Sequence, residues 1–346
     1  MQQYSGAEFK GLQAASSAPP AAAKAGLFLL FATTRAVHTT VIAASKVADP
    51  VTGHKSYAYS TISVVLGEAV VTLVIAQLMV LANGGMAEWR LIWNPSPLKV
   101  FSLIGSGFAL GDYLELASIG ALGGGLLISK LVVTSKLVIT ALLMWAIKGT
   151  RQTALQWILL CLVVLSMGVY MLGNQCIGIG GGGVSVIGVL MVLMKVASSC
   201  LSAVLSDKYM KEYKSEPIYM QLVQIKCGWF LTLFILSFVD GETWQKGFFS
   251  GWNGVTVGVL ASFAMKSFCT VYLLAILDSV LKNIGEATAV LLIYAAQVLL
   301  PCYDCRFEVP AFLSVMVVVL SVTAYVGSKS VVAKAEKYDK CMSAKG

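Results

Sequence analysis

Ten long apolar runs, separated by short polar breaks, constrain this chain more than any single residue does. They fall at about residues 25–46, 58–83, 98–121, 125–147, 154–173, 183–206, 218–239, 253–277, 284–301 and 309–328. A bilayer core takes about 20 mostly apolar residues per helical span, and each run is close to that length. Lipid offers no water to a backbone N–H or C=O, so each segment must satisfy its own, as a helix does. Alternating strand patterns are absent, which removes a barrel. The 346 residues are 58% hydrophobic and 12% charged, against about 25% charged in soluble domains, so no water-soluble fold hides that apolar surface. The expectation is an all-α membrane protein of ten transmembrane helices with short loops and no large soluble domain.

Basic residues divide unevenly between alternate breaks. With the N-terminus in the cytosol, about fifteen Lys and Arg residues share its face, among them Arg90, Lys99, Lys148, Arg151, Lys208 and Lys211. Only Lys46, Lys55, Lys246 and Arg306 lie opposite. The positive-inside rule then places both termini in the cytosol and makes the number of spans even. The net charge of +8 belongs to these loops, and no aromatic-interleaved basic patch points to nucleic acid. Residues 1–24, small and polar, read as a disordered cytosolic tail without a cleavable signal, and 329–346 as a basic cytosolic tail. A glycine-rich luminal link at 174–182 separates 25–173 from 183–328, with five spans in each. An odd number of spans per half inserts the two halves in opposite senses, the inverted repeat of alternating-access carriers.

Charges inside spans are costly unless paired or wetted, so each is a site candidate. Lys136 lies in the fourth run with Thr140 one helical turn on, and fits either a site lysine or one that snorkels or pairs with a carboxylate. Asp278, Lys282 and Glu286 are spaced i, i+4, i+8. Either a salt-bridged helix end or a cavity lysine held by Asp278 explains them. Arg35 meets a substrate phosphate bidentately or pairs with Glu68, Asp112 or Glu115, and structural pairing is the preferred reading of those three carboxylates. Cys161, Cys200, Cys227 and Cys269 read as packed thiols. Cys302 and Cys305 form either a local disulfide or two free thiols. No Walker motif and no metal-ligand spacing occurs, and the only histidines are His38 and His54. Neither an enzyme, a cofactor nor a bound metal is expected.

Two stretches resemble the nucleotide-sugar transporter family of the drug/metabolite transporter superfamily. One is Lys136-Leu-Val-Ile-Thr-Ala-Leu-Leu, followed at the family's distance by Gln156-Trp157, and the other is Asp278-Ser-Val-Leu-Lys282. Weaker echoes are Val64-Val65 with Glu68, Asp207-Lys208, and Gln224, and the likeness runs over nearly the whole chain. With the residue readings above, the expected substrate-binding set is Lys136, Lys282, Thr140, Arg35, Thr134, Val133, Gln221, Gln224 and Asp278, of which Arg35 and Thr140 come from their chemistry and position alone. Val133-Thr134 stand where the family has Tyr-Gln, and Gln221-Leu222 where it has Arg-Asn. Val71 replaces a lysine, and Ala275-Ile276 replace Lys-Tyr. The resemblance implies exchange of a cytosolic nucleotide-sugar for a luminal nucleoside monophosphate across a Golgi or endoplasmic-reticulum membrane. The partners so implied are that small-molecule substrate and the bilayer, with a homodimer as one assembly and no nucleic acid.

Overall fold

The computed structural model describes residues 21–48, 55–121, 135–173, 186–299 and 309–343. In order they form α1 (Ala21–Ala44), the short strands β1 (Lys46–Ala48) and β2 (Lys55–Tyr57), α2 (Thr61–Leu91), α3 (Pro95–Ala121) and α4 (Lys136–Lys148). There follow α5 (Ala154–Gly173), α6 (Val186–Glu212), α7 (Ile218–Asp240), the one-turn α8 (Glu242–Gln245), α9 (Gly254–Ile276), α10 (Ser279–Leu299) and α11 (Val309–Ser343). The two strands pair antiparallel with Val47 opposite Ser56. Among the described residues, α1, α2, α6, α7, α9, α10 and α11 are the seven helices long and apolar enough to cross a bilayer. The chain is therefore a multi-pass helical membrane protein. Its surface agrees: Leu29, Leu103, Leu165, Ile187 and Leu320 are exposed, while Glu68, Asp207, Gln224 and Lys226 are buried. That inverts the arrangement of a water-soluble domain and suits lipid outside with satisfied polar groups inside.

Several boundaries differ from the sequence expectation. Helix α1 begins at Ala21, so residues 21–24 are helix rather than tail. Helix α2 runs past 83 to Leu91 through a kink at Gly85, whose φ of 61° is open to a residue without Cβ. Helix α10 starts at Ser279 rather than 284 because Asp278 caps it, Oδ1 accepting from the Leu281 N–H at 2.9 Å. Helix α11 continues to Ser343. Its end, with Ala333, Ala335, Glu336 and Lys337, is made of good helix formers, so the basic segment expected as a tail extends the last helix. The glycine-rich link, the start of the fourth run, and Cys302 with Cys305 lie outside the described residues.

Helix pairing follows one rule. Exchange α1 for α6, α2 for α7, α3 for α9, α4 for α10, and α5 for α11. The main contacts then map onto one another: α3 with α6 onto α9 with α1, α3 with α7 onto α9 with α2, and α4 with α6 onto α10 with α1. The pairs α2–α7, α4–α10 and α5–α11 map onto themselves. The closest approach is between α3 and α7. A Cβ added to Gly105 would stand 1.9 Å from the Ile225 carbonyl oxygen, and one on Gly228 1.9 Å from that of Ser102. Ser102 Oγ donates to the Gln224 carbonyl across this crossing at 3.2 Å. Small residues let the backbones touch, as helix association in lipid favours. Phe108 of α3 stacks on Trp229 of α7, and both, together with Asp112 of α3, line an internal chamber.

Candidate functional site

Six cations, Arg35, Lys136, Lys195, Lys226, Lys266 and Lys282, line this chamber together with three carboxylates, Asp112, Glu115 and Glu286. Glu286 is a hub. Its Oε1 lies 3.0 Å from Arg35 Nη2 and 3.1 Å from Lys282 Nζ, and its Oε2 lies 3.1 Å from Lys136 Nζ. Lys282 reaches it because the two residues are one turn apart on α10. Arg35 comes from α1, and Lys136 from α4. A single negative charge therefore answers three positive ones, in an interior where Coulomb interactions are several times stronger than in water.

The opposite wall is more nearly balanced. Lys226 Nζ donates to both Glu68 oxygens, at 2.7 and 2.9 Å. The Glu68 carboxylate also accepts from Thr72 Oγ1 at 2.8 Å and Ser267 Oγ at 2.7 Å, tying α2, α7 and α9 together. Lys195 pairs with Glu115 at 2.9 Å. Lys266 has no carboxylate within 4.0 Å among the described residues and rests 4.5 Å from the Phe263 ring centroid. Asp112 Oδ2 and Trp229 Nε1 are buried without a hydrogen-bond partner among the described residues.

The space between these groups is about 80 Å³, room for two or three waters at roughly 30 Å³ each. Any organic solute requires the helices to part. A larger groove of about 300 Å³ opens on the surface between Trp145 and Trp157, with Arg151 as its one charged residue. The density of charge, not the size of the opening, places the candidate site in the smaller chamber.

Of the residues singled out from the sequence, Arg35, Lys136 and Lys282 meet at Glu286. Arg35 therefore pairs with Glu286 and not with Glu68, Asp112 or Glu115, because its helix packs on α10 and its guanidinium reaches that carboxylate first. Glu68 takes Lys226 of α7 instead. Asp278 does not hold Lys282: its carboxylate caps α10, while the lysine turns to Glu286. Thr140 is buried away from the chamber lining and accepts from Asn283 Nδ2 at 2.6 Å, joining α4 to α10. Gln221 and Gln224 also lie outside the lining. Gln221 Nε2 donates to the Tyr213 carbonyl at 2.9 Å, and Gln224 Nε2 to the Ile92 carbonyl at 3.1 Å, so both fasten helix ends. Val133 and Thr134 lie outside the described residues. Sequence reasoning passed over Lys195, Lys226 and Lys266, although each interrupts an apolar run and carried the signal of an intramembrane charge.

Two further polar clusters sit at the helix ends near the α6–α7 turn. Asp207, fully buried, accepts from Lys148 at 2.9 Å and Lys211 at 2.5 Å, and Lys211 also donates to the Leu277 carbonyl. This fastens α4 and α6 to the α9–α10 junction. Glu216 lies in the turn itself, outside the spans, and its Oε2 is buried without a hydrogen-bond partner among the described residues. Burial pushes its carboxyl above the usual range, with the Gln224 side chain opposing. The folded state thus favours the protonated form, so the Glu216 contribution is fully present at acidic pH and is lost as pH rises through the raised value. Glu216→Gln is expected to raise the melting temperature at pH 8 and leave it unchanged near pH 4. Equal shifts at the two pH values in a fluorescence melt would remove this reading.

No protein-family model matches the sequence, and no curated protein is similar to it. In fold, 24 chains of solved structures match. One, a crystal structure, has a TM-score of 0.63 at 13% identity, over 87% of this chain and 95% of that one. At that identity the likeness shows a shared backbone arrangement alone. Fold and site together define a multi-pass helical membrane protein with a buried, net-cationic chamber.

Proposed function

We propose that the chain is a secondary carrier of an organic anion, specifically a nucleotide-sugar antiporter that returns a nucleoside monophosphate in exchange, at a Golgi or endoplasmic-reticulum membrane. One observation carries the reading: Arg35, Lys136 and Lys282, drawn from both halves of the chain, converge on the single carboxylate of Glu286. The architecture proposed is ten spans in two inverted five-helix repeats with both termini cytosolic. The contact map that repeats under a five-helix exchange and the one-sided distribution of loop lysines and arginines support it.

In this mechanism the phosphates of the substrate take Arg35, Lys136 and Lys282 from Glu286, and the helices part toward one face and then the other. With no substrate, Glu286 offsets one charge of three. The empty chamber keeps its excess positive charge and crosses its occluded state reluctantly, which makes transport an exchange. Lys136→Ala or Lys282→Ala should reduce exchange in proteoliposomes about 100-fold, since a buried charge contact contributes roughly 2–5 kcal/mol. Exchange at the wild-type rate in either variant would overturn the mechanism.

A second reading keeps the site and changes the cargo. Gln221 and Gln224 are engaged at helix ends, and Val133-Thr134 and Val71 depart from the family pattern, so a smaller phosphorylated metabolite also suits this chamber. A thermal-shift panel separates the two, because a ligand at 100 times its dissociation constant stabilises by about 2.7 kcal/mol. Stabilisation by nucleoside monophosphates and nucleotide-sugars favours the first cargo, and stabilisation by sugar phosphates alone the second.

A further inference from the structure

Every cation of the chamber except Lys266 has a carboxylate partner, yet two other polar atoms facing the same space have none. Among the described residues, Trp229 Nε1 is a buried donor with nothing to donate to, and Asp112 Oδ2 a buried acceptor with nothing to accept. Both belong to residues that line the chamber. A protein interior rarely leaves such groups unsatisfied, because each keeps the full cost of its lost hydration. Here the two orphans are complementary in sense and belong to α3 and α7, which pack against each other.

Aromatic and charged groups surround them: Lys226 Nζ lies 4.0 Å from the Trp229 ring centroid, and Asp112 shares the lining with Lys195, Lys226 and Lys266. Trp229 lies stacked against Phe108, with ring centroids 5.7 Å apart and 21° between planes. Ile225 and Val271 belong to the same packed cluster and complete that side of the lining. The chamber is therefore two-ended: a cluster of three cations on one carboxylate at α1, α4 and α10, and an aromatic wall with one free donor and one free acceptor at α3 and α7.

We infer that Asp112 and Trp229 form a second subsite that selects the substrate by the edge of a planar polar ring, a ring that presents a hydrogen-bond acceptor to the Trp229 N–H beside a donor to the Asp112 carboxylate. Nucleobases have such edges; the sugar and phosphates of a nucleotide do not combine a flat face with them. The inference rests on the anion-carrier reading, since the phosphate end anchors the ligand whose ring is read. Sites built to hydrogen-bond a substrate discriminate strongly against analogues lacking the group, because the protein's own buried atoms are then stranded.

The test uses the full chain, purified in nanodiscs, with two probes. Inorganic pyrophosphate reports the cationic end alone, and the four common nucleoside monophosphates report both ends. For the nucleotide bound best by wild type, Trp229→Phe, which keeps the ring and removes the N–H, should weaken binding about tenfold or more. Asp112→Leu, which keeps the shape and removes the acceptor, should do the same. Trp229→Phe should bind pyrophosphate at wild-type affinity, and Asp112→Leu, which removes a negative charge from the chamber, at wild-type affinity or tighter, which also certifies that both are folded. A third measurement needs no variant: methylating the N–H donors of the preferred base, on the ring or on its exocyclic amino group, should cost wild type a similar factor. If both variants and the methylated ligand keep wild-type nucleotide affinity while pyrophosphate binds, the subsite is refuted and the anion site stands. If pyrophosphate and nucleotides alike fail to bind wild type, the carrier reading fails and takes the subsite with it.

Discussion

Replacing Lys226 by methionine should lower the apparent melting temperature of the purified protein by an amount on the order of 10 °C. The two members of the Glu68–Lys226 pair are each 1% exposed, and the carboxylate lies among α2, α7 and α9 with no route to solvent. Removing one partner of a buried pair costs about 3–5 kcal/mol because the other charge is stranded. A shift of about 2–4 °C per kcal/mol is usual for chains of a few hundred residues. The companion variant decides the cause. Glu68→Gln combined with Lys226→Met removes both charges, keeps acceptors for Thr72 and Ser267, and should recover most of the loss. If the single variant melts within a degree of wild type, or the double variant is no better than the single, the pair is not what holds these three helices together.

Glu286→Gln should behave in the opposite way in the presence of ligand. Without its carboxylate, Arg35, Lys136 and Lys282 face one another around an amide, and like-charge repulsion at these distances in a low dielectric is severe. The ligand-free protein is expected to lose about 3 kcal/mol or more of stability. A phosphate-bearing ligand, however, no longer competes with an internal carboxylate for the same three cations. Its affinity should rise about tenfold, and its thermal stabilisation should exceed that of wild type by a comparable margin. Turnover should fall, because a ligand held more tightly in the occluded chamber is released more slowly. If Glu286→Gln instead weakens binding of the same ligand, Glu286 is a contact to the substrate and not a stand-in for it, and the displacement step is wrong.

The two results bear on different links in the chain of cause. Lys226 and Glu68 lock the packing of the wall that carries Asp112 and Trp229, whereas Glu286 governs what the chamber admits. A loss of transport in Lys226→Met alone would say little about substrate, since the variant damages the frame. Loss in Lys136→Ala or Lys282→Ala, with pairing at Glu68 intact, addresses the site directly.

Apolar run length and the absence of water in the bilayer decided most of the helical architecture, and both can be read from residue order alone. The run at 154–173 coincides with α5 to the residue, and 309 opens α11 as expected. Departures are local: a positive-φ glycine that lets α2 kink and continue, and an aspartate that caps α10 five residues early. Lys136, Lys282 and Arg35 were legible as intramembrane charges because lipid makes any such charge conspicuous. Their partners were not. A carboxylate's choice among several cations depends on which helices touch and how they are rotated, and sequence spacing constrains that only within one helix. The i, i+4 step from Lys282 to Glu286 was visible for that reason, while Glu68 with Lys226 and Arg35 with Glu286 span 158 and about 250 positions. What residue order determined, then, is a bundle of helices in lipid with costly charges inside it. Only the tertiary structure decided that three of those charges share one carboxylate and that Asp112 and Trp229 lack partners among the described residues, because which helices pack together, α1 and α4 on α10 and α3 on α7, sets which side chains meet.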